Sequence, residues 1–165
     1  TALSEGHTVL DGITSRDGLD TLTNVERLVF NDGGLALDLD GNAGDVARVL
    51  GSVVGADAIA NQNFVGIGLY YLDSGMSFEE FMQLALEVTL GESPSNRAVV
   101  NMLYENIVGV TPNDQQAQEF VDLLDNNTYN ATSLSVFAAT STYNDDNIDL
   151  VGLAASGVPY IEYVV

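Results

Sequence analysis

The chain has 165 residues, enough for one domain with its own core. Lys and Arg number 4 against 24 Asp and Glu, a net charge of −20, yet hydrophobic residues make up 46 %, so the chain folds instead of behaving as a disordered acidic tail. That charge repels nucleic acid and anionic membrane and excludes both as direct partners, and the lack of Cys removes disulfides, zinc–thiolate sites and cysteine nucleophiles together.

All four cations are Arg: Arg16, Arg27, Arg48 and Arg97. No run of 18 apolar residues occurs, so no membrane insertion is expected. The chain opens mid-pattern on Thr1-Ala2-Leu3 with no signal peptide, which predicts a piece of something longer. An acidic, cysteine-free composition fits a protein that binds divalent cations and folds outside the cell on calcium instead of on disulfides. It equally fits a protein that lives in salt.

Residues 1–37 form a predicted β and turn segment. Asp11-Gly12, Asp17-Gly18 and Asp32-Gly33-Gly34 are turn pairs between short apolar runs, and Leu22, Val25, Leu28 and Phe30 predict one or two short strands. The stretch from Arg16 to Gly33, RDGLDTLTNVERLVFNDG, resembles the segment that closes the repeat blocks of RTX-type secreted proteins. The pattern there is D-x-L-x-x-I/V-E-x-L-x-F-x-D-G. The calcium-binding nonapeptide G-G-x-G-x-D is absent, so the resemblance implies the end of a β-roll and not the roll.

The next stretch, LALDLDGNAGD from Leu35 to Asp45, separates the strand-like half from the helical one. Asp38, Asp40 and Asn42 alternate with Gly41 and Gly44 nearby, and with Asp45 they are candidate ligands for one Ca²⁺ ion, because oxygens at alternate positions of a turning backbone converge on a hard cation. The match to an EF-hand loop is partial: Ala43 and Val49 stand where that loop has Gly and a bidentate Glu. Crowding of Asp32, Asp38, Asp40 and Asp45 favours a counter-ion. The same residues also make an ordinary turn, with Gly44-Asp45 opening a helix.

From Gly44 the apolar period becomes helical, and residues 38–165 are predicted to form a mainly α domain. Val46, Val49, Leu50, Val53 and Val54 mark a first helix ending at Gly55, and Asn63 is the expected cap of a second, stopped by Gly75. Ser77 and Glu80 form a capping box for a third, which runs to Gly91. Ser95 caps a fourth, which ends at Gly109. Pro112 is expected at the first position of a fifth, and Asn130 and Asn144 start two more. The tail VPYIEYVV is β-prone and suited to pair with an N-terminal strand.

The helices repeat. VARVLGSVVG (46–55) matches VVNMLYENIVG (99–109) at an offset of 54, and residues 65–86 match 117–139 at 52–53, with Leu72-Asp73 over Leu124-Asp125. Units of about 44–91 and 95–153 are thus predicted to stack and share a core, since neither buries its apolar face alone. The segment from Leu103 to Tyr143 resembles the DUF4214 repeat, L-Y-x-x-x-L-G-R-x-P-D-x-x-G-x-x-x-W-x-x-x-L-x-x-G. Leu103, Tyr104, Gly109, Pro112 and Leu124 match; Val110 replaces its Arg and Phe120 its Trp. The resemblance implies a secretion-associated or surface-attachment module of a type I-secreted, calcium-dependent protein, including S-layer-like proteins, and not an enzyme.

Other chemistry is sparse. His7 is the only His, and no G-x-S-x-G elbow accompanies it. Asp73 and Asp125 offer a carboxylate pair for a hydrolase, or two helix-end caps. Tyr70, Tyr71 and Tyr104, with Phe78 and Phe81, offer a platform for sugar rings, although such a stripe more commonly packs into a core. Gly66-Ile-Gly68 has no preceding strand or Lys and reads as a place where another helix approaches closely. The expected function is a non-enzymatic module of a calcium-dependent secreted or cell-surface protein, serving export, extracellular folding, attachment or assembly. Its partner is expected to be a glycan or a further copy of the chain in a layer or filament.

Overall fold

The computed structural model describes residues 7–10 and 18–164. The turn at Asp11-Gly12, Arg16, Asp17 and the opening Thr1-Ala2-Leu3 lie outside the described residues. Two hairpins begin the chain. β1 (His7–Leu10) pairs antiparallel with β2 (Leu19–Leu22), and β3 (Arg27–Phe30) with β4 (Gly33–Ala36). The chain is thereafter helical: α1 (Asn42–Val49), α2 (Gln62–Asp73), α3 (Phe78–Leu90), α4 (Asn96–Val108), α5 (Asp114–Asp125), α6 (Ala131–Ala139), α7 (Thr142–Asn147) and α8 (Leu150–Ser156). The tail returns as β5 (Val158–Tyr160), which pairs antiparallel with β4 to make a three-stranded sheet in the order β3-β4-β5. The protein is mainly α with short N-terminal strands, as its periodicity predicts, and no helix of the described residues is long and apolar enough to cross a membrane.

The helix starts follow from side-chain oxygens that accept orphan N–H groups. Ser77 with Glu80, Asn113 with Gln116 and Asn130 with Ser133 each form a reciprocal capping box, opening α3, α5 and α6. Three starts differ from expectation. Asn61, not Asn63, caps α2, because its Oδ1 accepts the N–H groups of both Asn63 and Phe64. Pro112 stands buried one residue ahead of the Asn113 cap instead of inside the helix. The single helix expected from Asn144 is two: α7, capped by Ser141, and α8, capped by Asp149, whose left-handed backbone (φ 48°) breaks the run.

The two helical units correspond element by element. At the offset of 54, Asn42–Val54 maps onto α4; at 52, α2 maps onto α5; at 53, α3 maps onto α6. The buried positions map as well. Val46, Val49, Val65, Leu69, Leu72, Phe81, Met82 and Leu86 of the first unit correspond to Val100, Leu103, Ala117, Val121, Leu124, Leu134, Ser135 and Ala139 of the second. Across the junction α3 packs on α6, and the end of the first unit's opening helix packs on α4, each element meeting its own counterpart. Asn106 even donates its side-chain amide to the carbonyl of its counterpart, Ser52, at 3.0 Å. A residue that touches its own equivalent lies near a two-fold axis, so the units pack as the two halves of an isologous dimer would.

That junction explains a local irregularity. After Val49 the helix widens into a π-turn over Leu50–Val54, closed by the Gly55 N–H on the Leu50 carbonyl at 2.9 Å. Side chains satisfy the carbonyls there. Buried Ser52 and buried Asn144 both donate to Arg48 O, at 2.8 and 3.1 Å, and Asn106 takes Ser52 O.

The two small residues of α2 do different work. A Cβ on Gly68 would press on Val46 and Phe81, so this glycine lets α1 and α3 close on α2, as expected of a helix contact. A Cβ on Gly66 would strike the Ile161 backbone carbonyl, so here the close neighbour is the extended tail and not a helix. The tail lies along α2, with the Ile161 N–H donating to Gln62 O at 3.0 Å and the Tyr163 ring edge-on to Tyr70.

Candidate functional site

Two places gather chemistry: a polar node where the β3–β4 hairpin meets α1 and α2, and an apolar groove on the second unit. The node is built by short-range turn chemistry. The Asp38 carbonyl accepts the Gly41 N–H at 2.9 Å, and its Oδ2 accepts the Ala43 N–H at 3.3 Å, so Asp38 satisfies a donor at the start of α1. Its Oδ1 is held by the Arg27 guanidinium, an ion pair whose side chains are only 18 % and 13 % exposed. Arg27 extends its other terminal nitrogen to Asp73 at 3.2 Å, and Asn42 donates its side-chain amide to the same carboxylate at 2.7 Å.

The four calcium candidates are therefore not arranged as one cage. Asp38 faces Arg27, Asn42 turns its amide nitrogen toward Asp73, Asp40 is exposed, and Asp45 lies one turn on with Arg48, at 3.8 Å. Among the described residues no group of three or more Asp, Glu or His side chains is placed to hold a metal ion. The donor set as built fits a guanidinium better than Ca²⁺: two carboxylates bracket one planar cation, while an amide N–H donor points inward. Burial pushes the Asp45 carboxyl up from its ordinary value, Arg48 pulls it back in part, and Glu79 adds to the rise. Sequence reasoning missed Arg27, the residue that joins the hairpin to the helices. The signal was its place as the one cation of the β3 strand, eleven residues before Asp38.

The Asp73 end has a twin. Asn96 donates to Asp125 at 2.7 Å, the same bond as Asn42 to Asp73 at equivalent positions. Both aspartates close their helices, and neither lines the second-unit groove or the hollow between Ile59 and Pro159. His7 sits in β1 opposite Leu22.

The tyrosines divide. Tyr70 and Tyr71 form an edge-on pair on α2, and Tyr163 of the tail joins Tyr70. Tyr104, on α4, instead accepts a hydrogen bond from Gln116 at 2.9 Å and lines the second-unit groove. That groove, about 940 Å³, runs between α4, α5 and α6 over Val100, Leu103, Ile107, Phe120 and Phe137. Where the first unit has Gly68 and a close α2–α3 contact, the second has Phe120, and α5 and α6 scarcely meet. Phe137 stays 57 % exposed and Tyr143 76 %. The sequence signal was available: Phe137 and Phe120 are apolar at helical spacing, but which apolar side chains lack a cover is a tertiary property. Comparisons with protein-family models, curated proteins and solved structures return no match.

Proposed function

We propose that this chain is a non-enzymatic binding module of a secreted or cell-surface protein, acting in attachment or assembly. The observation that carries the reading is the apolar groove on an otherwise strongly acidic molecule, since concave surface lined by apolar and aromatic side chains is where ligands and partners bind. The polar side chains that suggested chemistry have structural partners: Asp73 with Arg27 and Asn42, Asp125 with Asn96, Glu80 within its capping box. The resemblance of 103–143 to DUF4214 repeats and of 16–33 to RTX closing segments supports the secreted, surface-associated setting. Calcium enters this proposal as an ion that must displace Arg27 from Asp38.

The test is uptake of the neutral dye Nile red, followed by its fluorescence, in wild type, Phe137→Gln and Val151→Gln. Val151 is 84 % exposed on α8, away from the groove, and serves as the control. Dye uptake lost in the first variant alone supports a binding groove. Uptake unchanged in both, or absent from wild type, defeats it. Glycan binding is the second reading, favoured by Tyr104 in the groove wall; it requires soluble oligosaccharides to quench tyrosine fluorescence in wild type and not in Tyr104→Leu.

A further inference from the structure

The groove's chemistry restricts its occupant. Its walls are α4, α5 and α6, whose interior backbone groups are already bonded within the helices, with the short α6–α7 connection and Tyr143 of α7 at one end, so they offer no sheet edge to an extended strand. An occupant that satisfies its own backbone, a helix, meets that condition. The floor from Val100 to Val108 follows α4 for about 12 Å at 1.5 Å per residue, the length of roughly two helical turns. No lysine or arginine lines it, whereas Glu119 does. At the Val100 end, Asn96 lies one turn away on the same face and holds Asp125. In the first unit the equivalent aspartate, Asp73, holds Asn42 and also an arginine, Arg27. In the second unit Asp125 has the asparagine alone among the bonds of the described residues.

We infer that the groove seats an amphipathic helix of another protein, one with an apolar stripe of about two turns and arginines beside it. This assignment rests on the binding-module reading and names its partner. Charge complementarity chooses the partner: a cationic helix is attracted to a surface of −20, while a second copy of the chain carries the same −20 and is repelled. The arginine at the stripe's end repeats at Asp125 what Arg27 does at Asp73.

The probe is a synthetic labelled helix of about five turns, with Leu at i, i+3, i+4 and i+7 spacing and Arg elsewhere, followed by fluorescence anisotropy at physiological and raised salt. Two controls accompany it: the same peptide with Glu for Arg, and a scrambled peptide of identical composition. Wild type is expected to bind the amphipathic Arg peptide at least tenfold more tightly than either control. Phe137→Gln is expected to lose about tenfold and Val151→Gln nothing, with matching thermal melts showing all three folded. Equal binding of the scrambled peptide reduces the effect to bulk charge and overturns the inference, as does a Phe137→Gln variant that binds like wild type. If the Glu peptide binds as well as the Arg one, the cationic partner falls while the groove stands. If no peptide binds yet Nile red does, the partner falls and the binding-module reading survives; if neither binds, both fall. A wild-type dimer in light scattering that Phe137→Gln dissolves gives the groove to a second copy and overturns the inference too.

Discussion

The ridge of α2 that carries Gln62, Gly66 and Tyr70 lies under the extended tail from Val158 to Tyr163, while the matching ridge of α5 carries Asp114, Gln118 and Asp122 and faces water. The first unit is also pinned by the β3–β4 hairpin through Arg27, and among the described residues no strand reaches the second in the same way. Two copies of one helical plan have thus been finished differently. The first is wrapped and its helices close on Gly68; the second is unwrapped and carries Phe120 at that position, in the wall of its groove. Several counterpart changes accompany this difference: Gly68 to Phe120, Phe81 to Leu134, Met82 to Ser135 and Leu86 to Ala139.

Substitutions at equivalent positions break this comparison most directly. Met82 is fully buried and Ser135 is its counterpart, so Met82→Ala is expected to lose about 3 kcal/mol by leaving a cavity, against about 1 kcal/mol or less for Ser135→Ala. Urea unfolding of the two variants measures the difference, and equal losses would mean that Met82 fills no more of the core than its small counterpart does. Next is Gly66→Ala. Its helix-propensity gain of about 1 kcal/mol is outweighed by the collision with the Ile161 carbonyl, for a net loss of about 2 kcal/mol, because backbone cannot yield as a side-chain end can. Gln118→Ala, on the uncovered ridge, is expected to stay within about 0.5 kcal/mol.

Arg27→Gln should cost about 1–2 kcal/mol at neutral pH, between the values for exposed and buried pairs, since it leaves Asp38 and Asp73 as neighbouring like charges. Asn96→Ala at the twin site should cost less than about 1 kcal/mol. Calcium tests the same node in the wild-type protein. Thermal melts in about 5 mM Ca²⁺ against chelator are expected to leave the wild-type midpoint nearly unchanged, since Arg27 occupies Asp38; a site of micromolar affinity would add roughly 4 kcal/mol instead. A clear rise in wild type would show Ca²⁺ displacing Arg27 and would restore the loop as a metal site.

The smallest expected effect concerns Asp45, which stands where the second unit has buried Val99. Its carboxyl is raised in the fold above its unfolded value, chiefly by burial, so the folded protein binds that proton more tightly. Its contribution to stability is full below the unfolded value near 3.8 and is lost as pH rises through the higher folded value. Asp45→Asn is expected to raise the melting midpoint slightly near pH 7 and to lose that advantage toward pH 4. An advantage that instead grows in acid would reverse the assigned direction.

Much of the helical plan is legible in the sequence because it is local. Ser77-x-x-Glu80, Ser95 and Asn130 announce helix starts by their own side chains, and Gly55, Gly91 and Gly109 announce the ends. The repeat is legible because buried positions recur. The break at Asp149 is not, since a left-handed aspartate has no periodic signature. The node is not legible either. The alternation of Asp38, Asp40, Asn42 and Asp45 is visible in the sequence, but not that Arg27 and Asp73, eleven residues before and thirty-five residues after Asp38, stand beside it. Nor is the groove, because the difference between Gly68 and Phe120 acquires meaning only when α2 and α5 are laid over each other.

The antiparallel pairing of Gly34 with Tyr160 has a consequence for order in time. During synthesis the first unit emerges first, yet its sheet and the cover of α2 await the last strand. The later-made second unit draws the buried cluster Val99, Val100, Leu103, Ala117, Val121, Leu124 and Leu134 from its own helices, with Leu90 of the neighbouring α3 against it. Contacts so far apart along the chain form slowly. A nascent chain would therefore expose the Gly66 ridge until residues 158–163 arrive, and the half made first would be the half completed last.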